Sequence, residues 1–215
     1  EMCIRDRSGT NSFSGGITVS AGTLVAGSTA ALGSTNNNLT NNGVLNLNGN
    51  AVGLNALTGG GLVTNGSVTA SVLSLGNNNG SGTFSGTVAG GNTIRLVKNG
   101  TGTVTLAGTN AYTGGTLVSA GVLSGSTASI LGAITNNAGV VFNQGTNQGA
   151  NVTYAGVMSG TGSLVKSGVG TLTLAGTNAY TGGTLVSGGV LSVSTTNIQG
   201  AITNNAGVVF SQSNS

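Results

Sequence analysis

The sequence predicts an all-β protein, a parallel β-helix (β-solenoid) of roughly nine coils, from three observations. Residues 96–147 are written out again at 164–215, about three-quarters identical and with no inserted or deleted residue. Lys98 recurs as Lys166, Tyr112 as Tyr180 and Phe142 as Phe210, a constant period of 68 in the numbering. Such a strict repeat marks an elongated array in which each unit leans on its neighbour. Polar and apolar residues alternate over runs of only four or five, and glycine, 42 of 215 residues, punctuates almost all of them.

Each element follows from this pattern. Thr171-Leu172-Thr173-Leu174 puts both leucines on one face of a strand and both threonines on the other, and Thr103-Val104-Thr105-Leu106 does the same one period earlier. Thr184-Leu185-Val186-Ser187, Val190-Leu191-Ser192-Val193, Ala201-Ile202-Thr203 and Val208-Val209-Phe210 follow as strands. Gly182-Gly183, Gly188-Gly189, Asn204-Asn205 and Gly207 lie between them as corners, since glycine and asparagine tolerate positive φ. Helices are disfavoured by the glycines and by β-branched Thr, Val and Ile.

Isolated pairs of such short strands are marginal in water. Coiling the chain so that each strand pairs with its counterpart one turn later stacks the inward Leu, Val and Ile into a continuous column. A 68-residue repeat is then expected to advance by a whole number of coils, three of about 22 to 23 residues each. Weaker copies extend the array toward the N-terminus. Gly9-Thr10-Asn11-Ser12-Phe13-Ser14-Gly15-Gly16 matches Gly108-Thr109-Asn110-Ala111-Tyr112-Thr113-Gly114-Gly115. Leu39-Thr40-Asn41-Asn42-Gly43-Val44 echoes Ile134-Thr135-Asn136-Asn137-Ala138-Gly139-Val140, one residue shorter.

Residues 8–215 therefore form one domain. Residues 1–7, EMCIRDR, hold both acids (Glu1 and Asp6), the single cysteine (Cys3) and two of the five basic residues. This heptapeptide resembles translated adaptor sequence, a native N-terminus being the alternative, and it is set aside from the fold. The net charge of +3 then rests on Arg95, Lys98 and Lys166, so the high isoelectric point of about 9.5 reports missing acids rather than a nucleic-acid patch. No apolar run reaches the roughly 20 residues of a membrane helix, and seven aromatics are too few for the girdles of a membrane barrel.

The repeated string LVKNGTGTVTLAGTNAYTGGTLVSAGVLS at 96–124 returns as LVKSGVGTLTLAGTNAYTGGTLVSGGVLS at 164–192. It resembles the autotransporter-associated β-strand repeat, and Gly9 to Leu24 keeps the second half of that motif. The resemblance implies a passenger of a type V secreted protein, a right-handed parallel β-helix displayed on the outer face of a Gram-negative bacterium. It also implies a signal peptide and a C-terminal translocator barrel in the full-length chain. Neither is present, and the stop at Ser215 in mid-repeat is that expected of a fragment.

Catalysis finds no footing in this composition. From Ser8 onward there is no Asp, Glu, His or Cys. General acid–base chemistry, a Ser-His-Asp triad, zinc ligation and a calcium-binding roll all lack their residues, so no catalytic, cofactor or metal site is expected. No Gly-Lys-Ser/Thr phosphate loop occurs, and one Thr-x-Thr pair per period is too sparse for an ice-binding grid. Lys98 and Lys166 read as strand-end lysines that lay their methylenes along the rod and keep the ammonium in water; a ligand-facing pair or a Ser–Lys dyad is the functional alternative. Phe13, Tyr112 and Tyr180 share one motif position. They read as corner plugs with the hydroxyl toward water, a sugar-stacking platform being the alternative. The expected function is a non-catalytic stalk at the cell surface. Adhesion to host or abiotic surfaces, through glycans or proteins, and self-association are the alternatives.

Overall fold

The computed structural model describes residues 4–91, 93–145 and 151–211; Glu1, Cys3 and the last four positions of the second repeat copy lie outside them. Among the described residues there is no helix, and every strand pairing is parallel. The chain winds as a β-solenoid of about nine turns. It visits three faces in a fixed order. The first is a seven-stranded sheet running from Ala51–Leu54 to Ala179–Tyr180. The second begins with the three strands Ile17–Val19, Asn38–Asn41 and Ala56–Thr58 and continues through a Gly59–Phe84 bridge into the seven-stranded sheet from Gly82–Phe84 to Ile202–Asn204. The third face is a six-stranded sheet from Ile4–Arg7 to Ala111–Tyr112. It resumes as the four-stranded sheet from Asn151–Tyr154 to Gly207–Phe210. Residues 4–7 thus add a strand to the end of the third face, their backbone in register with Thr23–Ala26.

The alternation read from the sequence sets the interior. Leu172 and Leu174 are buried while the alternating Thr171 and Thr173 are partly exposed. On the second face Val104, Leu123, Val140 and Leu164 stand in register as an unbroken inward column, each with no exposed surface. Two strands turn a threonine inward and a leucine outward. Leu117 and Leu185 face outward, and their neighbours Thr116 and Thr184 point into the core, where tyrosine hydroxyls meet them. Gly183 and Gly189 turn corners at positive φ, as expected, whereas Asn204 and Gly207 close and open strands instead.

The coil count per repeat is the main correction. Leu96 lies in register with Thr116, Thr116 with Ile134, and Ile134 with Met158, so the three coils differ in length. They end at Met158, but the copy of Leu96 is Leu164, further along the chain and past the next corner. One period is three coils and a third. Every strand in the second copy lies one face further round: Ile94–Lys98 is on the first face and its copy Ser163–Ser167 on the second, Thr103–Leu106 on the second and Thr171–Leu174 on the third. Corners differ in size, so a coil can be as short as the path from Val122 to Gly139 or as long as that from Leu62 to Thr87. No integer constraint ties the repeat to one face.

Replacing Leu123 by Ala empties a site enclosed by coils on both sides and is expected to destabilise the fold by about 2–5 kcal/mol in urea denaturation. Leu117→Ser, on the outer surface, is expected to stay within about 1 kcal/mol of the parent.

Candidate functional site

The side chains that the repeat carries most faithfully converge on corners inside the rod. Ile94, Leu96 and Lys98 share the inward parity of one strand. Lys98 stands in register between Leu75 below and Val118 above, both fully buried. Lys166 occupies the same place between Phe142 and Val186. Both lysines have no exposed surface. The Lys98 ammonium donates to the carbonyl oxygens of Asn99, Gly100 (2.8 Å) and Ala120 (3.1 Å). That of Lys166 donates to Ser167 (2.8 Å), Gly168 (2.9 Å) and Gly188 (3.0 Å).

Three N–H donors meet three carbonyls, two from the lysine's own corner and one from the coil above. The cation needs no acid. The corner turns those carbonyls inward because Gly100 and Gly168 adopt φ of 60° and 77°. A β-carbon on Gly100 would come within 2.0 Å of the Gly76 carbonyl oxygen, so no other residue fits. The expectation of an ammonium in water is thus overturned. The parity of Ile94, Leu96 and Lys98 was the available signal, and the usual behaviour of lysine outweighed it. Burial lowers the pKa of both lysines.

Tyr112 and Tyr180 are also sealed, with no exposed surface. The Tyr112 hydroxyl meets Thr116 Oγ1 at 3.2 Å and accepts from the Leu131 backbone N–H at 3.3 Å. Tyr180 meets Thr184 Oγ1 at 2.6 Å and the Gln199 backbone, the repeat-equivalent position. The hydroxyls point into the rod and not at water, and neither ring offers a face to a sugar. Phe13, at the same motif position, is half-buried, and its carbonyl accepts from Asn37.

Asparagine does more than turn corners, which the sequence reading missed. Asn110 accepts from the Val88 N–H at 2.7 Å and donates to the Ser129 carbonyl at 2.6 Å, so one buried amide joins the coil below to the coil above. Asn178 repeats this with Met158 (2.8 Å) and Asn197 (2.6 Å), and Asn11 donates to the Ala31 carbonyl. Asn136 donates to Ser163 and accepts from Ala138. Its shorter echo Asn41 keeps only the first bond, to Leu62, because one residue fewer follows it.

With both lysines inside, Arg95 is the one solvent-facing formal charge on the described part of residues 8–211. No group of three or more metal-ligating side chains occurs among the described residues. A shallow groove on the first face, lined by Thr29, Thr35, Ala51, Gly53, Ser74 and Asn77, holds neither charge nor aromatic ring. No helix among the described residues is long and apolar enough to cross a membrane.

Residues 8–26, 96–124 and 164–193 match the passenger-associated-transport-repeat family. Those three segments carry the autotransporter passenger repeat. Its copies contain Asn11, Lys98, Asn110, Tyr112, Lys166, Asn178 and Tyr180, the residues that close the corners. The chain is 40% identical over 193 residues to the adhesin BmaC autotransporter of Brucella suis biovar 1 (strain 1330), a match covering 72% of this chain and 5% of that protein. No solved structure matches.

Two outcomes are expected of the corner chemistry. Lys98→Met leaves three inward carbonyls without a donor and is expected to cost at least about 3 kcal/mol in equilibrium denaturation, at about 1–3 kcal/mol per buried unpaired group. Burial raises the pKa of Tyr112, Tyr154 and Tyr180 above the reference of 10.0. Their contribution to stability is complete below pH 10 and lost above it, because the unfolded chain ionises first. The two lysines, whose pKa is lowered from 10.5, act with the opposite sign, raising stability as pH climbs toward that value. Urea midpoints measured from pH 8 to about 11.5 should fall above pH 10, and less steeply in Tyr180→Phe.

Proposed function

We propose that this chain is a non-catalytic section of the shaft of a surface-displayed or secreted autotransporter passenger, holding a distal region away from the cell. One observation carries the reading. The side chains repeated with the motif (lysine, tyrosine and asparagine) are turned inward and joined to neighbouring coils, so the repeat builds length and rigidity and multiplies no site. Outward positions carry Thr, Ser, Asn and small aliphatics, with no residue suited to proton transfer near neutral pH. Attachment to the outer membrane would come from parts of the protein beyond these residues.

The test is direct binding by the 215-residue chain. Arrays of glycans and host cells exposed to it should give no saturable signal, and dose-dependent binding at low micromolar concentration would replace the shaft with an adhesive module.

A second reading, self-association, rests on the nearly uncharged surface. With Arg95 alone facing solvent across the described part of residues 8–211, little electrostatic repulsion holds two rods apart. Sedimentation at rising concentration should then show oligomers whose population is insensitive to salt between about 50 and 500 mM, since there is little charge to screen. A strictly monomeric chain would remove this reading and leave the first intact.

A further inference from the structure

We propose that the 68-residue repeat is a screw element: its second copy presents its outward residues one face further round the shaft than its first, so that tandem copies at this spacing offer their surface radially rather than as a one-sided stripe. The inference rests on the shaft reading and adds to it a geometry of display.

The registers carry the argument. Val97 pairs with Leu117 on the first face, and their copies Val165 and Leu185 pair on the second. Thr105 lies beside Ser124 on the second face, and their copies Thr173 and Ser192 lie side by side on the third. All eight are outward and partly exposed. The interior moves with them. The carbonyl cage of Lys98 closes the corner between first and second faces, and that of Lys166 the corner between second and third. The whole unit rotates, inside and out, by about a third of a revolution.

Three tandem copies of this length would pass through about ten coils, on the order of 48 Å at about 4.8 Å per coil, before a surface position returned to its starting face. A contact made through one copy cannot be reinforced by the next on the same flat partner. Two successive copies face different directions and suit a shaft that is approached from any side, or one that bridges separate bodies.

Distances between paired spin labels test this, with Cys3 replaced by Ser to leave only the introduced thiols. Thr105 and Leu185 stand four rungs apart on one face, while Thr105 and its copy Thr173 are three and a third coils apart on neighbouring faces. Dipolar spectroscopy on Thr105→Cys/Thr173→Cys should therefore read a longer distance than on Thr105→Cys/Leu185→Cys, although fewer coils intervene. An independent set uses Leu117→Cys with Leu185→Cys, its copy, against Leu117→Cys with Ala179→Cys, three rungs up the same face. The copy pair should again be clearly the longer. Copy-pair distances equal to or shorter than the same-face distances would overturn the screw and place both copies on one side. That outcome would leave the shaft reading standing, since the binding assay alone decides it.

Discussion

A strand of two to five residues buries at most three side chains, and those side chains are covered only when another strand lies directly above and another below. Every other feature of the molecule answers this constraint. The aliphatic columns meet it by stacking Leu, Val and Ile in register, each fully buried side chain contributing roughly 1.5–3 kcal/mol. The polar groups meet it by hydrogen bonds that run along the axis. Asn110 reaches both down and up, Lys98 takes its third carbonyl from the coil above, and Tyr112 accepts from Leu131 one coil on. A single coil removed from its neighbours would expose its apolar side chains and strand the buried polar groups that reach across. Stability is therefore a property of adjacent pairs, as in other quasi-one-dimensional folds.

The same constraint explains why a buried cation is tolerated here. Removing an ammonium from water without partners is expensive, and a buried lysine ordinarily loses its proton or finds an acid. This chain has no acid after Asp6. The corner supplies carbonyl dipoles instead, and their number matches the donors of the ammonium. Burial still lowers the pKa of both lysines, the mark of a site whose desolvation is only partly offset. One consequence lies on the surface. Two of the three cations that the chain carries after Ser8 are hidden, and the rod faces its surroundings with hydroxyls, amides and aliphatic groups.

Much of this was legible in the residues. Alternation in Thr103–Leu106 and Thr171–Leu174 correctly assigned inward and outward sides, and the glycine pairs marked corners. The misreadings share one cause. Lys98, Lys166, Tyr112 and Tyr180 follow none of the usual habits of their side chains: register sets each lysine between apolar, fully buried neighbours, and each tyrosine is sealed with its hydroxyl on an inward threonine. Leu117 and Leu185 are leucines that face outward. Their outward position follows from the tyrosine hydroxyls, which call a threonine to the inward slot beside them. Such demands come from a residue four positions away and one corner round, and local alternation does not contain them.

The rotation of the repeat was illegible for a deeper reason. A 68-residue spacing says how much chain separates two copies, not how much of it each corner takes up. Corners take up unequal amounts, as the short coil from Val122 to Gly139 and the long one from Leu62 to Thr87 show. What the motif encodes is a strand, a carbonyl-lined corner, a tyrosine plug and an asparagine bridge, all defined relative to the coil above and the coil below. None of these refers to a particular face. The lysine cage forms equally well at the first–second corner and at the second–third corner, with donor distances of 2.8–3.1 Å for the contacts to Gly100, Ala120, Ser167, Gly168 and Gly188. Because both of these corners accept the same chemistry, a copy that overshoots three coils by one side keeps its lysine cage. A three-sided solenoid with interchangeable corners is therefore free to turn its repeat about the axis.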